Sequence, residues 1–419
     1  MSPQPRARPP RVPAALWRMA TAAGLAFYLD AATMISVSIA LPIWTTHFAL
    51  SLWQVGLLSA GLAGAIAVGA LVGGWLGDRL GRARMLTADL VVFALGTVVI
   101  LTAAGSTTLI TGVVVVGLAA GADMPTALAV ISDRAPSWAR GRLIGLTQVL
   151  WITAILATFA LGFGVSGLGF LGTQVLVAHL VVLAGATLVL RLVLTARSRS
   201  TDQDPPSARL TVTPRILLGG GMALPLATTG LFLLFWNVAA STLGAYGTYL
   251  LVTVTGLTQS QATGLVLVTF PPALAMSVLF VRLADTVWRD RLFVVALTLQ
   301  ISAFAAGALT GAAMVGGMVA LTVLYSLSNV FAGEAAYKVW SQLLFPAAAR
   351  ATALGVTYGV ARGAAAAFAV VTPTLVARDA AGLLWFLTAC VTASGICGLV
   401  ITRHPRLRPM LRPSHGAPF

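Results

Sequence analysis

The chain is poor in charge. Of its 419 residues only 9% are Asp, Glu, Lys or Arg, against about 25% in a soluble globular protein. It contains one glutamate, Glu334, and one lysine, Lys338; every other acid is aspartate and every other base arginine. The two cysteines, Cys390 and Cys397, share one apolar stretch. On a helix they would lie on one face about two turns apart, too far for a disulfide. Four scattered histidines and two cysteines form no metal-ligand spacing, so no metal or other cofactor is expected. No His/Asp/Ser or Cys/His constellation falls inside the apolar stretches, and no soluble signalling segment is attached. That argues against a membrane enzyme or a receptor.

What the chain has is apolar sequence: 58% hydrophobic residues and a mean hydropathy of +0.94. A helix crossing a bilayer needs about 20 mostly apolar residues. Breaking the chain at charge clusters and polar turns predicts twelve such helices, at 17–44, 53–76, 85–104, 108–131, 143–164, 170–194, 222–252, 261–282, 292–310, 314–340, 351–377 and 382–402. The first is too long for a signal-peptide core and reads as a retained span. The longest polar stretch away from the ends, "RSRSTDQDPPSARLTVTPR" at 197–215, divides the spans into six and six. The expected fold is therefore an all-α integral membrane protein of twelve transmembrane helices in two pseudo-symmetric bundles. Its parts would be a disordered basic tail (1–16), a first six-helix bundle (17–196), a linker (197–215), a second bundle (216–403) and a tail (404–419). Proline at 42, 271, 272 and 373 would bend the spans that contain it.

The net charge of +15 is not a nucleic-acid footprint. On the predicted layout 23 of the 26 basic residues fall on one side of the membrane. Only Arg378 falls on the other, with Lys338 and Arg362 inside spans. Such an imbalance marks the cytoplasmic side. It predicts cytoplasmic termini, a cell-membrane location and arginines facing the anionic inner leaflet.

Three motifs add to this. "GGWLGDRLGRARM" (73–85) joins spans two and three as a tight turn, in which Asp78 can pair with Arg82. It resembles G-x-x-x-D-R-x-G-R, the loop signature of the major facilitator superfamily, through Gly74, Asp78, Arg79, Gly81 and Arg82. The equivalent place in the second half, "VRLADTVWRDR" (281–291), keeps Asp285 and Arg289 without the glycines. "SDRAPSWARGRLIGLTQ" (132–148) resembles E-x-x-P-x-x-x-R-G-x-x-x-x-x-x-Q of the sugar porters and metabolite:proton symporters, with Asp133 for the Glu and Pro136, Arg140, Gly141 and Gln148 matching. "WSQLLFPAAARATALG" (340–355) resembles their W-S-Q-E-L-F-P-x-x-x-R-x-x-x-x-G, with Leu343 for the acid and Arg350 for the Arg. The resemblance implies that Gly74, Asp78, Arg79, Gly81, Arg82, Asp133, Arg140, Gly141 and Arg350 form a conformational latch. The G-P-x-x-G-G signature of drug:proton antiporters is missing from span five, which has no proline.

Ionisable side chains inside spans are functional candidates by default. Five stand out: Asp30, Asp123, Glu334, Lys338 and Arg362. Asp30 lies midway along span one, where the resemblance implies a proton site; the alternative is a helix-packing hydrogen bond. The arginine that sugar porters place opposite would fall at Val113. Asp123 resembles the acid of a G-x-E-x-P pattern, as a second proton site or a helix anchor. Arg362 needs a carboxylate or an anion, supplied by Glu334 or by a substrate. Glu334 and Lys338, at i and i+4, can pair. Either Lys338 snorkels to the interface with Glu334 as tether, or the pair lines the inner cavity and exchanges partners with Arg362. The resemblance further implies substrate contacts from Gln148, Trp151, Asn237, Thr242, Tyr246 and Lys338.

The function so implied is secondary active transport, foremost proton-coupled symport of a small polar metabolite such as a sugar or inositol, with Asp30, Asp123 and Glu334 as proton-coupling groups. Organic-anion symport through Lys338 and Arg362, or export by proton antiport, are the alternatives. The partners would be the substrate, protons and the bilayer, and the protein would act as a monomer.

Overall fold

The computed structural model describes residues 11–198, 221–309 and 315–411. Most of the predicted N-terminal tail, nearly all of the linker and half of the C-terminal tail lie outside them. Among the described residues the secondary structure is helical throughout. Six helices make up the first half: α1 (Ala14–His47), α2 (Leu52–Leu80), α3 (Arg82–Leu101), α4 (Ser106–Arg134), α5 (Arg140–Gly164) and α6 (Phe170–Ser198). The second half contains α7 (Ala223–Thr255), α8 (Gln259–Leu283), α9 (Trp288–Leu309), α10 (Val315–Ser328), α11 (Glu334–Leu344), α12 (Arg350–Arg403) and the short α13 (Arg408–Leu411). Ten stretches are long and apolar enough to cross a membrane, and two shorter apolar helices, 267–283 and 315–328, accompany them.

Local chemistry explains the joints. α2 and α8, the second helix of each half, both start at a capping box: Ser51 with Gln54, and Thr258 with Gln261. Each closes two otherwise orphaned backbone donors. The spans expected at 351–377 and 382–402 run on as α12, bent at Asp379, the one residue with non-helical angles inside it. The Asp379 carboxylate accepts the Gly382 N–H at 2.8 Å, as an N-cap does, so the bend restarts the helix. Pro42 and Pro271–Pro272 lie inside α1 and α8, Pro373 lies along α12, and α4 carries a further one, Pro125.

The span expected at 314–340 is not continuous. α10 ends at Ser328 and α11 begins at Glu334. The intervening turn is fastened to α7, because Trp236 Nε1 donates to Asn329 Oδ1 at 3.0 Å. Gly333 fits under the Trp236 ring, where a Cβ would collide with the indole and with the Asn329 carbonyl.

The two halves share a core at one end only. Phe27, Met124, Leu143 and Ile144 pack in one apolar cluster with Phe232, Phe280, Trp340 and Tyr358. This is the end that carries the arginine-rich loops. Toward the other end each half keeps its own core: Leu62, Phe93, Val116 and Leu180 in the first, Val238, Leu250, Phe304 and Leu384 in the second. The molecule is therefore sealed at the arginine-rich face.

Candidate functional site

Because α11 starts afresh after the break, Glu334 falls in its first turn, where the helix dipole favours a carboxylate. Lys338 follows one turn later, its Nζ 3.2 Å from Glu334 Oε1. Tyr358 of α12 donates to the same oxygen at 2.9 Å. Lys338 does not snorkel to an interface: it is 0% exposed. Its Nζ lies 4.0 Å from the centroid of the Phe27 ring on α1 and donates to Gln148 Oε1 of α5 at 3.3 Å. A buried ammonium costs several kcal/mol unless paired and hydrogen-bonded, and here a carboxylate, an amide and a ring face serve it together.

Next to it, Arg362 of α12 donates from Nη2 to Asp30 Oδ2 of α1 at 3.0 Å. Its guanidinium lies 5.6 Å from the Trp151 ring, and Nη1 reaches Met34 Sδ at 3.7 Å. The sequence suggested Glu334 or a substrate as the partner of Arg362; the structure pairs it with Asp30. Val113 is buried and apolar, and the base opposite Asp30 comes from the second half instead. Asp30 is 0% exposed, and its Oδ1 and the Arg362 Nε have no hydrogen-bond partner. The structure thus gathers Asp30, Gln148, Trp151, Glu334, Lys338 and Arg362 into one cluster across both halves. Two acids and two bases make it electrically balanced, and its amide, carboxylates and ring faces suit a hydroxylated solute.

Asn237, Thr242 and Tyr246 make hydrogen bonds outside this cluster. Asn237 accepts from Ser241 at 3.2 Å, Thr242 donates to the Val238 carbonyl at 2.7 Å, and Tyr246 donates to the Ala369 carbonyl at 2.8 Å. These bonds hold α7 together and tie it to α12.

Asp123 lies in a second buried cluster, which sequence reasoning missed. Its carboxylate takes both guanidinium ends of Arg191, at 3.1 and 2.9 Å. Arg191 also donates to the carbonyls of Leu86 at 2.7 Å and Ala22 at 3.0 Å, so it joins α1, α3, α4 and α6. Asp89 of α3 is buried alongside, with Oδ2 unpartnered. The predicted layout puts Arg191 among the 23 bases of the cytoplasmic side, and Asp89 is not among the five intramembrane candidates. The signal was present: each sits among aliphatic residues, in "TLVLRLVL" and "LTADLVV".

At the arginine-rich face the latch residues meet. Asp78 pairs with Arg82 at 2.8 Å and accepts from the Thr352 N–H at 2.7 Å and hydroxyl at 2.8 Å, which ties α2 to α12. Asp133 pairs with Arg82 and with Arg350, and Arg82 also donates to the Ala347 carbonyl. Gly81 turns the chain between α2 and α3 with φ +101°. Asp285 accepts from the N–H groups of Gly141 at 2.6 Å and Arg142 at 2.9 Å, which places a second-half carboxylate at the start of α5. The Gly74 backbone packs against Ala351 and Gly355. Arg140 lies close enough to Arg350 to repel it. Arg79 stands apart, stacked on Trp75 at 5.1 Å.

Comparison with known proteins agrees with the fold. Residues 21–370 match the Major Facilitator Superfamily family profile. The chain is 31% identical over 398 residues to the minor myo-inositol transporter IolF of Bacillus subtilis (strain 168), covering 90% of this chain and 89% of that protein. It is 38% identical over 141 residues to the arabinose-proton symporter of Escherichia coli (strain K12), covering 33% of this chain and 29% of that one. Among solved structures, the proton:xylose symporter XylE bound to 6-bromo-6-deoxy-D-glucose superposes with a TM-score of 0.74 at 17% identity, over 93% of this chain and 95% of the other.

Proposed function

The chain belongs to the Major Facilitator Superfamily, and we propose that it is a secondary active transporter coupling proton movement to the uptake of a small polyhydroxylated solute, with inositol the first candidate. The observation that carries this is the likeness to an inositol transporter over nine-tenths of the chain. The cluster between the halves supports it. Asp30 is the proton site: a buried carboxylate whose charge is held by one movable counter-ion, Arg362. Gln148, Trp151, Glu334 and Lys338 form the solute wall, and Arg362 closes it. The balance of two acids against two bases favours a neutral solute over an organic anion.

In this reading the arginine-rich face is the cytoplasmic one in a cell membrane, by the preference of Arg for that side, and both termini lie there. The contacts of Asp78, Arg82, Asp133, Arg350 and Asp285, with Gly74, Gly81, Arg140 and Gly141 around them, form the latch that holds that face shut. The halves rock about the cluster, in a monomer. Asp123, locked bidentate to Arg191, acts as a helix anchor.

Uptake into proteoliposomes tests the proposal. Labelled inositol should enter faster under an inward proton gradient, and Asp30→Asn should abolish the response to the gradient. Uptake indifferent to both would end the coupling claim. Uptake of carboxylates in preference to inositol and hexoses would end the substrate claim.

A further inference from the structure

Every contact of the Arg362 guanidinium described above falls on the opposite half: Asp30 and Met34 of α1, and Trp151 of α5. Two other ion pairs link the halves among the described residues, Arg350 with Asp133 and Arg142 with Asp285, and both lie at the arginine-rich face. Arg362 is twelve residues along α12 from Arg350, about 18 Å deeper at 1.5 Å per residue. It stands where the shared core gives way to the separate cores of each half.

A second carboxylate is within the same field. Tyr358, one helical turn before Arg362, already bonds Glu334, so the two side chains project from one face of α12. Both bonds described to Glu334 fall on Oε1, which leaves Oε2 to accept a guanidinium. Glu334 and Arg362 attract one another electrostatically as they stand. The charged groups facing Asp30 are Arg362 from α12 and Glu334 and Lys338 from α11; α5 presents the neutral Gln148 and Trp151.

We infer that Arg362 is an inter-half bolt that a proton on Asp30 withdraws: once Asp30 is neutral, the guanidinium swings within its own half to Glu334, and the halves, which already keep separate cores toward the end remote from the arginine-rich face, move further apart there. The inference deepens the proposed proton coupling and rests on Asp30 as the proton site. The charges follow simply. With Asp30 ionised the cluster sums to zero; with a proton on Asp30 it carries one excess positive charge, and Arg362 and Lys338 share Glu334. Oxygen lone pairs, from water or from the hydroxyls of an entering solute, solvate that excess. Proton and solute would therefore help each other bind, reciprocally.

Spin-label distances across the remote end test this without any solute. In the full chain in lipid nanodiscs, with Cys390 and Cys397 replaced by alanine, labels are placed at the exposed positions Trp53 and Leu309. Acidification should shift the wild-type distance distribution to longer values. Asp30→Asn should show that longer distribution at every pH. Glu334→Gln, which weakens the landing site, should blunt the shift. An Asp30→Asn distribution that matches the wild type and still moves with pH would overturn the bolt. If that variant fails to fold, a Glu334→Gln response equal to the wild type overturns it instead. Because distances and not uptake are read, a protein that opens with pH but carries no polyol would refute the proposed substrate and leave the bolt standing. A protein whose proton-driven uptake needs Asp30 while the distances stay fixed would do the reverse.

Discussion

Glu334 and Lys338, the one glutamate and the one lysine of the chain, form a buried ion pair of 3.2 Å on the first two turns of α11. The pair owes its position to the break before it. A helix continuing from α10 would not present Glu334 at a helix start. The fastened turn at Asn329 and Gly333 does, and it aims Lys338 across the seam at Phe27 and Gln148 of the other half.

Removing one member of such a pair should cost more than removing both. Lys338→Met keeps the apolar packing on Phe27 but leaves the Glu334 carboxylate buried with Tyr358 as its remaining close partner. Loss of one partner from a buried pair costs about 3–5 kcal/mol. Thermal unfolding in detergent should show a large drop for Lys338→Met and substantial recovery for Lys338→Met/Glu334→Gln. A double variant no more stable than the single one would contradict this account of the pair.

The Arg191 staple should show the opposite asymmetry to a substrate site. Arg191→Met strands Asp123 and removes the bonds to the Leu86 and Ala22 carbonyls, so the yield of monodisperse protein should fall sharply. Asp123→Asn still offers Arg191 an oxygen and should fold with uptake within a few-fold of wild type. Gradient-driven uptake lost in a well-folded Asp123→Asn would instead make Asp123 a proton-coupling group.

How much of this was legible in the sequence depended on the range of the interaction. The spans were visible because burial in lipid demands runs of apolar residues, and the loop motifs because their glycines and charges sit at fixed local spacing. Glu334 and Lys338 were visible by rarity and by their i, i+4 relation. The break at Asn329–Gly333 was not, because a Gly in an apolar run reads the same in a helix as beneath a tryptophan of another helix. The pairing of Asp30 with Arg362 spans 332 positions, and periodicity carries no information at that separation. Arg191 was misplaced because a helix boundary good to three residues cannot decide on which side of the interface a long side chain ends.

Asp285 lies between the spans of α8 and α9, and burial raises its pKa above the usual aspartate value, against the lowering effect of the Arg142 and Gly141 N–H groups. A raised pKa means that the folded state binds the proton more tightly than the unfolded state. Asp285 therefore favours folding below its folded pKa, and this advantage is lost as the pH rises through that value. Asp285→Asn cannot titrate. Melting temperatures across the acidic range should show wild type gaining on Asp285→Asn as the pH falls from neutral. A constant gap between the two would rule out this assignment.

Gly73 and Gly74 are neighbours on α2 yet face different halves, because successive residues on a helix point about 100° apart. A Cβ on Gly73 would collide with Ala122 of α4, within the first half; a Cβ on Gly74 would collide with the Ala351 carbonyl and Gly355 of α12, in the second. Neither obstacle is a flexible side chain, so backbone must move. Gly73→Ala should therefore weaken the packing of the first half, lowering the melting temperature without favouring one face over the other. Gly74→Ala should leave each half intact and hold α2 away from α12, which weakens the Asp78–Thr352 contact and opens the arginine-rich face. A cysteine at the buried position Ala349, in a background without Cys390 and Cys397, reads that opening through its reactivity with a membrane-impermeant thiol reagent. Reactivity should rise several-fold in Gly74→Ala and stay near the background value in Gly73→Ala. If the two variants melt alike and label alike, the two glycines do not divide the work of folding the first half and closing the face between them.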